Sequence, residues 1–364
     1  MTQKNKYHLI AAARPNFMKI APLYHALKAC GWAVPILIHT GQHYDANMSD
    51  AFFIDLALPN PDYHLGVGSG SHAEQSAGVM IAYERICTQT SPDWVIVVGD
   101  VNSSMACAIT AKKCHLRLAH LEAGLRSRDL TMPEEINRII TDSISDLLWT
   151  PSVDADENLL AEGIAQENIK FVGNIMIDSY ELQRTKIAAY PLQLPFPLPQ
   201  QYGVVTLHRP INVDTRESLK LLVHELTRIA SELALVFPVH PRTRERLLGF
   251  ALWEQMQQTP NIHLISPLSY IPFMKLVQNA SLVITDSGGI QEETTYLNIP
   301  CLTVRESTER PITITQGTNH LVKVSELSSQ TEQVLAGNWQ QGKCPPFWDG
   351  HTAQRVVNSL NDLA

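Results

Sequence analysis

The run Ser281-Leu282-Val283-Ile284-Thr285-Asp286-Ser287-Gly288-Gly289-Ile290-Gln291-Glu292-Glu293 decides how the chain is read. An apolar strand ends at Asp286, and a helix-compatible segment opens directly after it. Ser287, Gly288 and Gly289 let backbone N–H groups approach an anion at a helix N-terminus, where unpaired donors and the helix dipole both favour negative charge. Glu292 and Glu293 fall one turn into that helix, and a carboxylate beside a phosphate site grips hydroxyls such as those of a ribose. The stretch therefore reads as the cradle of a nucleoside diphosphate. An ordinary strand followed by a Gly-Gly bend and an acidic helical turn is the competing reading, which the octapeptide Asp286–Glu293 alone leaves open.

Around this stretch, short Val/Ile/Leu-rich runs alternate with helical periodicity, which predicts parallel sheets covered by helices on both faces. Strands are expected at Gly203–Leu207, Leu233–Val239, Ile262–Ile265, Leu282–Thr285 and Cys301–Val304. The first half repeats the pattern, with strands at Tyr7–Ala13, Val34–His39, Trp94–Val98, Leu116–Leu121 and Lys170–Val172, and helices at Phe17–Cys30, Ser103–Cys114 and Glu134–Leu148. The length of 364 residues exceeds what one core usually serves. The expected class is α/β, with two Rossmann-like doubly wound parallel-sheet domains at 1–178 and 179–349. A closing helix within 350–364 would pack back on one of them. Tyr190–Pro199 carries four prolines and is expected to be a linker or a surface segment leading into the second domain. Ligands of such sheets bind at the carboxyl ends of the strands, so a cleft between two facing domains is the expected site.

A formal charge of -8 excludes a general nucleic-acid or membrane-surface binder, which needs a basic face. The six cysteines form no C-x-x-C pair, and no histidine cluster has zinc spacing. A reduced cytoplasm fits best. The N-terminus has no apolar signal-peptide core, and no run approaches the length of a membrane span.

Charged residues gather after the expected strands. Arg14 and Lys19 follow the first and can clamp an anion. Asp100 follows Trp94–Val98, where capping the next helix is as natural a role as catalysis. Glu122 follows Leu116–Leu121, and Pro133-Glu134-Glu135-Ile136-Asn137-Arg138 opens a helix in the way proline and acidic residues commonly do. His208-Arg209 ends Gly203–Leu207, and His240 occupies the same place after Leu233–Val239.

Taken together, these residues resemble the non-hydrolysing UDP-N-acetylglucosamine 2-epimerases, a family of glycosyltransferase-B architecture. The similarity runs through Arg14-Pro15 with Lys19, Thr40-Gly41-Gln42-His43, Gly99-Asp100, His120–Arg126, Pro133–Arg138, Val172-Gly173-Asn174, His208-Arg209, Pro238-Val239-His240, Asp286–Glu293 and Thr308-Glu309-Arg310-Pro311. The resemblance implies inversion of carbon 2 in UDP-GlcNAc to give UDP-ManNAc, with no metal and no nicotinamide or other cofactor, by elimination of UDP to 2-acetamidoglucal and re-addition on the other face. It implies acid-base roles for Asp100, Glu122 and Glu134 and places His208 near the diphosphate. It further implies substrate contacts from Arg14, Lys19, Arg138, Arg209 and His240, a phosphate loop at Ser287, Gly288 and Gly289, and Glu293 on the ribose. A UDP-sugar is thus the expected partner, a homodimer the expected assembly, and cell-surface polysaccharide synthesis the expected setting.

The chain departs from the family pattern in places. Ala12-Ala13-Arg14-Pro15-Asn16 stands for Gly-Thr-Arg-Pro-Glu, and His208-Arg209-Pro210-Ile211-Asn212 for His-Arg-Arg-Glu-Asn. The stretch between Arg126 and Pro133 is short. A related epimerase acting on UDP-2,3-diacetamido-2,3-dideoxyglucuronate stays open, because that acid wants an extra cation and Arg128 lies in the altered loop. A hydrolysing epimerase, a glycosyltransferase of the same fold and a non-catalytic UDP-sugar sensor would each need a nucleotide cradle too, and they stay open beside it.

Overall fold

The computed structural model describes residues 4–12, 14–41, 53, 55–68 and 70–363. Contacts divide the chain into two compact units, Met1–Gln183 with Pro346–Ala364, and Arg184–Pro345. In unit 1, β1 (Asn5–Ala11), β2 (Ala33–His39), β3 (Tyr63–His64), β4 (Trp94–Val98), β5 (Arg117–Leu121), β6 (Leu147–Thr150) and β7 (Ile169–Phe171) form one sheet. Its order is β3-β2-β1-β4-β5-β6-β7, and every pair is parallel. Unit 2 holds β8 (Tyr202–Thr206), β9 (Ala234–Pro238), β10 (Ile262–Ile265), β11 (Leu282–Thr285), β12 (Cys301–Thr303) and β13 (Asn319–Leu321), again all parallel, in the order β10-β9-β8-β11-β12-β13. The expected α/β class with two doubly wound sheets is what the chain adopts.

Both faces of the first sheet are covered. Ile10, Ile38, Val95 and Val97 join Val79, Tyr83 and Ala106 in one core, while the alternate residues Leu9, Leu37 and Ile96 are buried on the opposite face. That is why the strands read as continuous apolar runs and not as alternating ones. In both units the strand order reverses beside the first strand, between β1 and β4 and between β8 and β11. Loops diverge at such a reversal and open a crevice at the carboxyl ends of the strands.

Several local expectations are corrected. The helix expected over Glu134–Leu148 ends at Ile144, and Leu147–Thr150 is β6. Ser145 turns to extended backbone, and Asp146 bonds to β5 through its own N–H, which donates to the Leu118 carbonyl, and through its carboxylate, which accepts the Leu118 N–H at 2.8 Å. A fully buried strand has no period of two by which to distinguish itself from a helix. The first helix is Arg14–Ala29, so it opens three residues before Phe17. The helix His72–Thr90 has no counterpart among the expected elements, although the Ser71–Glu74 capping box that starts it is visible in the sequence. The proline-rich stretch carries no helix or strand and lies within unit 2, whereas the division of the chain falls inside the helix Ile175–Ala189.

The last segment returns to unit 1. The carboxylate of Asp178 accepts the Thr352 and Ala353 N–H groups at 3.0 Å each, capping the helix Thr352–Asn361, which packs on Arg14–Ala29. The Trp348 indole donates to the Pro151 carbonyl at 2.9 Å. Gly173 makes this docking possible: its φ is +94°, and an added Cβ would lie 2.1 Å from the Phe347 carbonyl oxygen. Gly173→Ala is therefore expected to lower stability by about 2–4 kcal/mol, from the left-handed backbone and the collision combined. Urea unfolding of the two proteins checks this, and equal midpoints would show that the segment yields without cost.

Candidate active site

In unit 1 the turns leaving β1, β4 and β5 bring charge to the strand reversal. Gly99 follows β4 with φ +63°. Its N–H donates to the Leu121 carbonyl at 3.1 Å, and its own carbonyl accepts from His120 Nε2 at 3.0 Å. Side chains crowd the place where a Cβ would stand, with Lys19 Nζ at 3.2 Å, Asn16 Nδ2 at 3.9 Å and Glu122 Oε2 at 4.0 Å. Lys19 and Glu122 form an ion pair, with both residues buried. Asn16 donates to the Val98 carbonyl at 2.8 Å. Glu122 has φ +73°, an uncommon conformation for a residue with a Cβ, and Gly124 with φ +80° continues the turn.

Asp100 keeps 31% of its side chain exposed and pairs with Arg138. Arg138 is itself fixed by Glu135, whose Oε2 accepts from Nε at 2.9 Å and from Nη2 at 2.6 Å. Glu135 also accepts the Ser127 and Arg128 N–H groups at 2.9 and 2.8 Å. Burial pushes the Glu135 carboxyl up, but these backbone donors and Arg138 hold it below the usual range. Of the acid-base residues expected from the sequence, the structure thus gathers Asp100 and Glu122 with Lys19 and Arg138. Glu134 stands exposed on the first turn of the helix Pro133–Ile144, and the glutamate drawn into the cluster is its neighbour Glu135. Arg14 opens the first helix, but its side chain, like Gln42 and His43, lies outside the described residues. The Arg128 guanidinium is exposed and donates to Asn158 Oδ1 at 2.6 Å.

In unit 2 the buried carboxylate of Asp286 joins the turns after β8 and β11. It accepts the His208 N–H at 2.9 Å, the Arg209 N–H at 2.8 Å and the Asn212 amide at 3.0 Å, and it stands 3.0 Å from His208 Nδ1. Burial opposes its charge, yet these donors, His208 first, keep its pKa below the ordinary value. With Nδ1 turned to Asp286, His208 has Nε2 available to a ligand. The ring of His240 lies 5.1 Å away. His240 caps the helix Pro241–Gly249 through Nδ1, and burial followed by the neighbouring His208 lowers its pKa.

The helix Gly288–Leu297 starts at Ser287 with no side chain capping it, which leaves its first N–H groups directed at the crevice. A Cβ on Gly289 would meet nothing within 4 Å, whereas one on Gly288 would lie 2.7 Å from Arg310 Nη1 and Glu309 Oε1. Open space thus faces Gly289, and buried charge faces Gly288. Glu309 pairs with Arg305 at 2.8 Å and with Arg310, while Arg310 reaches Glu292 at 3.0 Å. Burial resists the charge on Glu309, but Arg310 and then Arg305 hold its carboxyl far down. Glu293 differs: it is buried, the Tyr270 side chain acts on its carboxyl, and Oε1 accepts no hydrogen bond. Burial pushes this carboxyl up to about 8 against the Tyr270 bond, and Glu292 adds to the rise.

The sequence did not single out Asp286 as the hub of unit 2, nor Arg305, Glu135, Asp142 and the side chain of His120. Among the described residues no three His, Cys, Asp or Glu side chains gather as a metal cage, and no helix is long and apolar enough to cross a membrane.

Comparison with known proteins follows the same lines. The family described as UDP-N-acetylglucosamine 2-epimerase matches residues 25–361. A UDP-N-acetylglucosamine 2-epimerase of Methanocaldococcus jannaschii is 40% identical over 98% of both chains. A crystal structure of the UDP-GlcNAc 2-epimerase of that organism, in complex with UDP-GlcNAc and UDP, superposes with a TM-score of 0.88 at 38% identity, covering 98% of this chain and 99% of that one. The UDP-2,3-diacetamido-2,3-dideoxy-D-glucuronate 2-epimerase of Pseudomonas aeruginosa is 36% identical over 97% of this chain and 99% of its own length. Similarity that runs the length of the chain, with charged turns at both strand reversals, places this protein in the UDP-N-acetylglucosamine 2-epimerase family.

Proposed function

We propose that the protein interconverts UDP-GlcNAc and UDP-ManNAc without releasing the free sugar. The observation that carries this reading is the pair of neighbouring turns after β4 and β5, where Glu122 with Lys19 beside Gly99, and Asp100 with Arg138, present two cation-paired carboxylates. A base removes the proton from carbon 2, and the bond from carbon 1 to the diphosphate oxygen breaks. UDP departs with the bonding pair, leaving 2-acetamidoglucal. Re-addition of UDP at carbon 1 with protonation of carbon 2 on the opposite face completes the inversion. Asp100, Glu122 and Glu134 are the proposed acid-base residues. Lys19 and Arg138 orient their partners, and Arg14, Arg209 and His240 contact the substrate. His208, with Nδ1 held by Asp286, supplies charge to the departing diphosphate, a kind of preorganised stabilisation worth several kcal/mol in a dry site.

Unit 2 holds the nucleotide in this scheme. The uncapped N-terminus at Ser287, Gly288 and Gly289 receives phosphate, and Glu293 receives the ribose hydroxyls, which satisfy the buried Oε1. A homodimer is the proposed assembly, for which Leu130, Ile136 and Ile139, 67%, 45% and 37% exposed, offer apolar surface.

Incubation with UDP-GlcNAc in deuterated water, followed by NMR, tests the reaction. UDP-ManNAc labelled at carbon 2 is expected. Free ManNAc would instead identify a hydrolysing enzyme, and unchanged substrate would direct the search to the diacetamido uronate, whose epimerase is among the relatives.

Asp100→Asn and Glu122→Gln are expected to lower turnover by roughly 10²–10⁴ with little effect on UDP affinity. Glu134→Gln is expected to do the same, and Glu134→Gln at wild-type turnover would remove that residue from the acid-base set.

Ribose hydroxyls favour the ionised form of Glu293, whose carboxyl sits at about 8 in the unliganded protein. Binding therefore releases a proton below that pH. The UDP affinity should rise as pH climbs towards 8 and level off above it, and Glu293→Gln should lose this component while keeping the titration of the phosphate itself. Identical pH slopes in the two proteins, measured by calorimetry, would show that Glu293 does not change charge on binding.

A further inference from the structure

We infer that His120 and Asp142 are positioning residues for the proposed epimerisation, holding in register the two turns that carry Asp100 and Glu122. His120 lies on β5 opposite Val97 of β4 and is completely buried. Its Nε2 stands 3.0 Å from the Gly99 carbonyl and its Nδ1 2.6 Å from Asp142 Oδ1. The Gly99 carbonyl can only accept, so Nε2 donates to it, while Nδ1 shares a hydrogen bond with the Asp142 carboxyl. The second oxygen of Asp142 accepts the Gly124 N–H at 3.1 Å and stands 2.7 Å from Arg126 Nη1. Arg126 is in turn held by both oxygens of Glu162, at 2.8 and 2.6 Å.

One carboxylate therefore fixes both turns. It reaches Gly99-Asp100 through the imidazole and Glu122-Ala123-Gly124 directly. These turns carry left-handed backbone at Gly99, Glu122 and Gly124, and at Glu122, which has a Cβ, that conformation costs energy that surrounding bonds must offset. Asp142 also rides on the helix that carries Arg138 and Glu135, the anchors of Asp100. Side chains of His120 and Asp142 are 0% and 1% exposed, so neither touches substrate, and their influence passes through the backbone.

Two substitutions at one position separate this role from bulk packing. His120→Gln keeps a donor near the place of Nε2, facing the Gly99 carbonyl. His120→Asn keeps one near Nδ1, facing Asp142, and abandons the carbonyl. In the full chain, His120→Asn is expected to lower kcat on UDP-GlcNAc by about 10²-fold, with KM and the UDP Kd unchanged, and His120→Gln to recover about ten-fold of that loss. Hydrogen exchange should quicken in the peptide spanning Gly99–Asn102 in the Asn variant and less so in the Gln variant. If His120→Asn does not fold, Asp142→Asn, which keeps the atoms and removes the charge, takes its place with the same expectations. Equal loss in the Gln and Asn variants, wild-type turnover in both, or UDP affinity falling together with kcat would overturn the inference. Wild-type protein inert on UDP-GlcNAc would overturn the proposed reaction instead, and the exchange comparison would then decide the positioning role alone.

Discussion

The buried pair of Lys19 and Glu122 is the interaction on which the first unit depends. Removing two charges from water costs several kcal/mol for each ion, and only a close partner recovers it. Lys19 comes from the first helix and Glu122 from the turn after the fifth strand, so burying them together requires the central strands β1, β4 and β5 to be in place. Gly99 makes room for the contact, since any side chain there would press on the ammonium. The ion pair, the missing Cβ and the left-handed turn at Glu122 are therefore one device. Loss of the ammonium would leave a carboxylate in a place that cannot solvate it.

At both strand reversals most carboxylates are paired, and Glu293 of unit 2 departs from that pattern. In unit 1 the carboxylates of Glu122, Asp100, Glu135 and Asp142 each have a cation beside them. In unit 2 Asp286 and Glu309 are likewise saturated, but Glu293 is buried with an unsatisfied oxygen and a raised pKa. A folded protein seldom leaves such an acceptor without a partner unless a ligand supplies one.

The sheets and the strand ends were legible in the sequence because buried parallel strands are apolar runs and the residues after them break that pattern abruptly. Asp100, Glu122, His208 and Ser287 could be found that way. The β6 strand could not, because Leu147 and Leu148 continue the three- and four-residue spacing of Ile136, Ile140 and Ile144, so that Ser145-Asp146 reads as the polar side of one longer helix. Nor could the division of labour between Glu134 and Glu135, where a 100° step around the helix sends one carboxylate to solvent and the other to Arg138. A signal for Asp142 did exist: it lies seven residues, two helical turns, after Glu135 and so shares its inward face. The inward direction of His120 follows only from strand pairing, which no single sequence prints.

The return of residues 346–361 to unit 1 bears on how the protein is made. Unit 2 is continuous from 184 to 345 and can close as soon as it leaves the ribosome. Unit 1 begins first but finishes last, since the face of its first helix waits for Thr352–Asn361, and Asp178 waits for the backbone it will cap. Until then the face of Arg14–Ala29 that this helix covers stays open. The segment that completes it is thus also the point at which synthesis hands a vulnerable intermediate over to a closed fold.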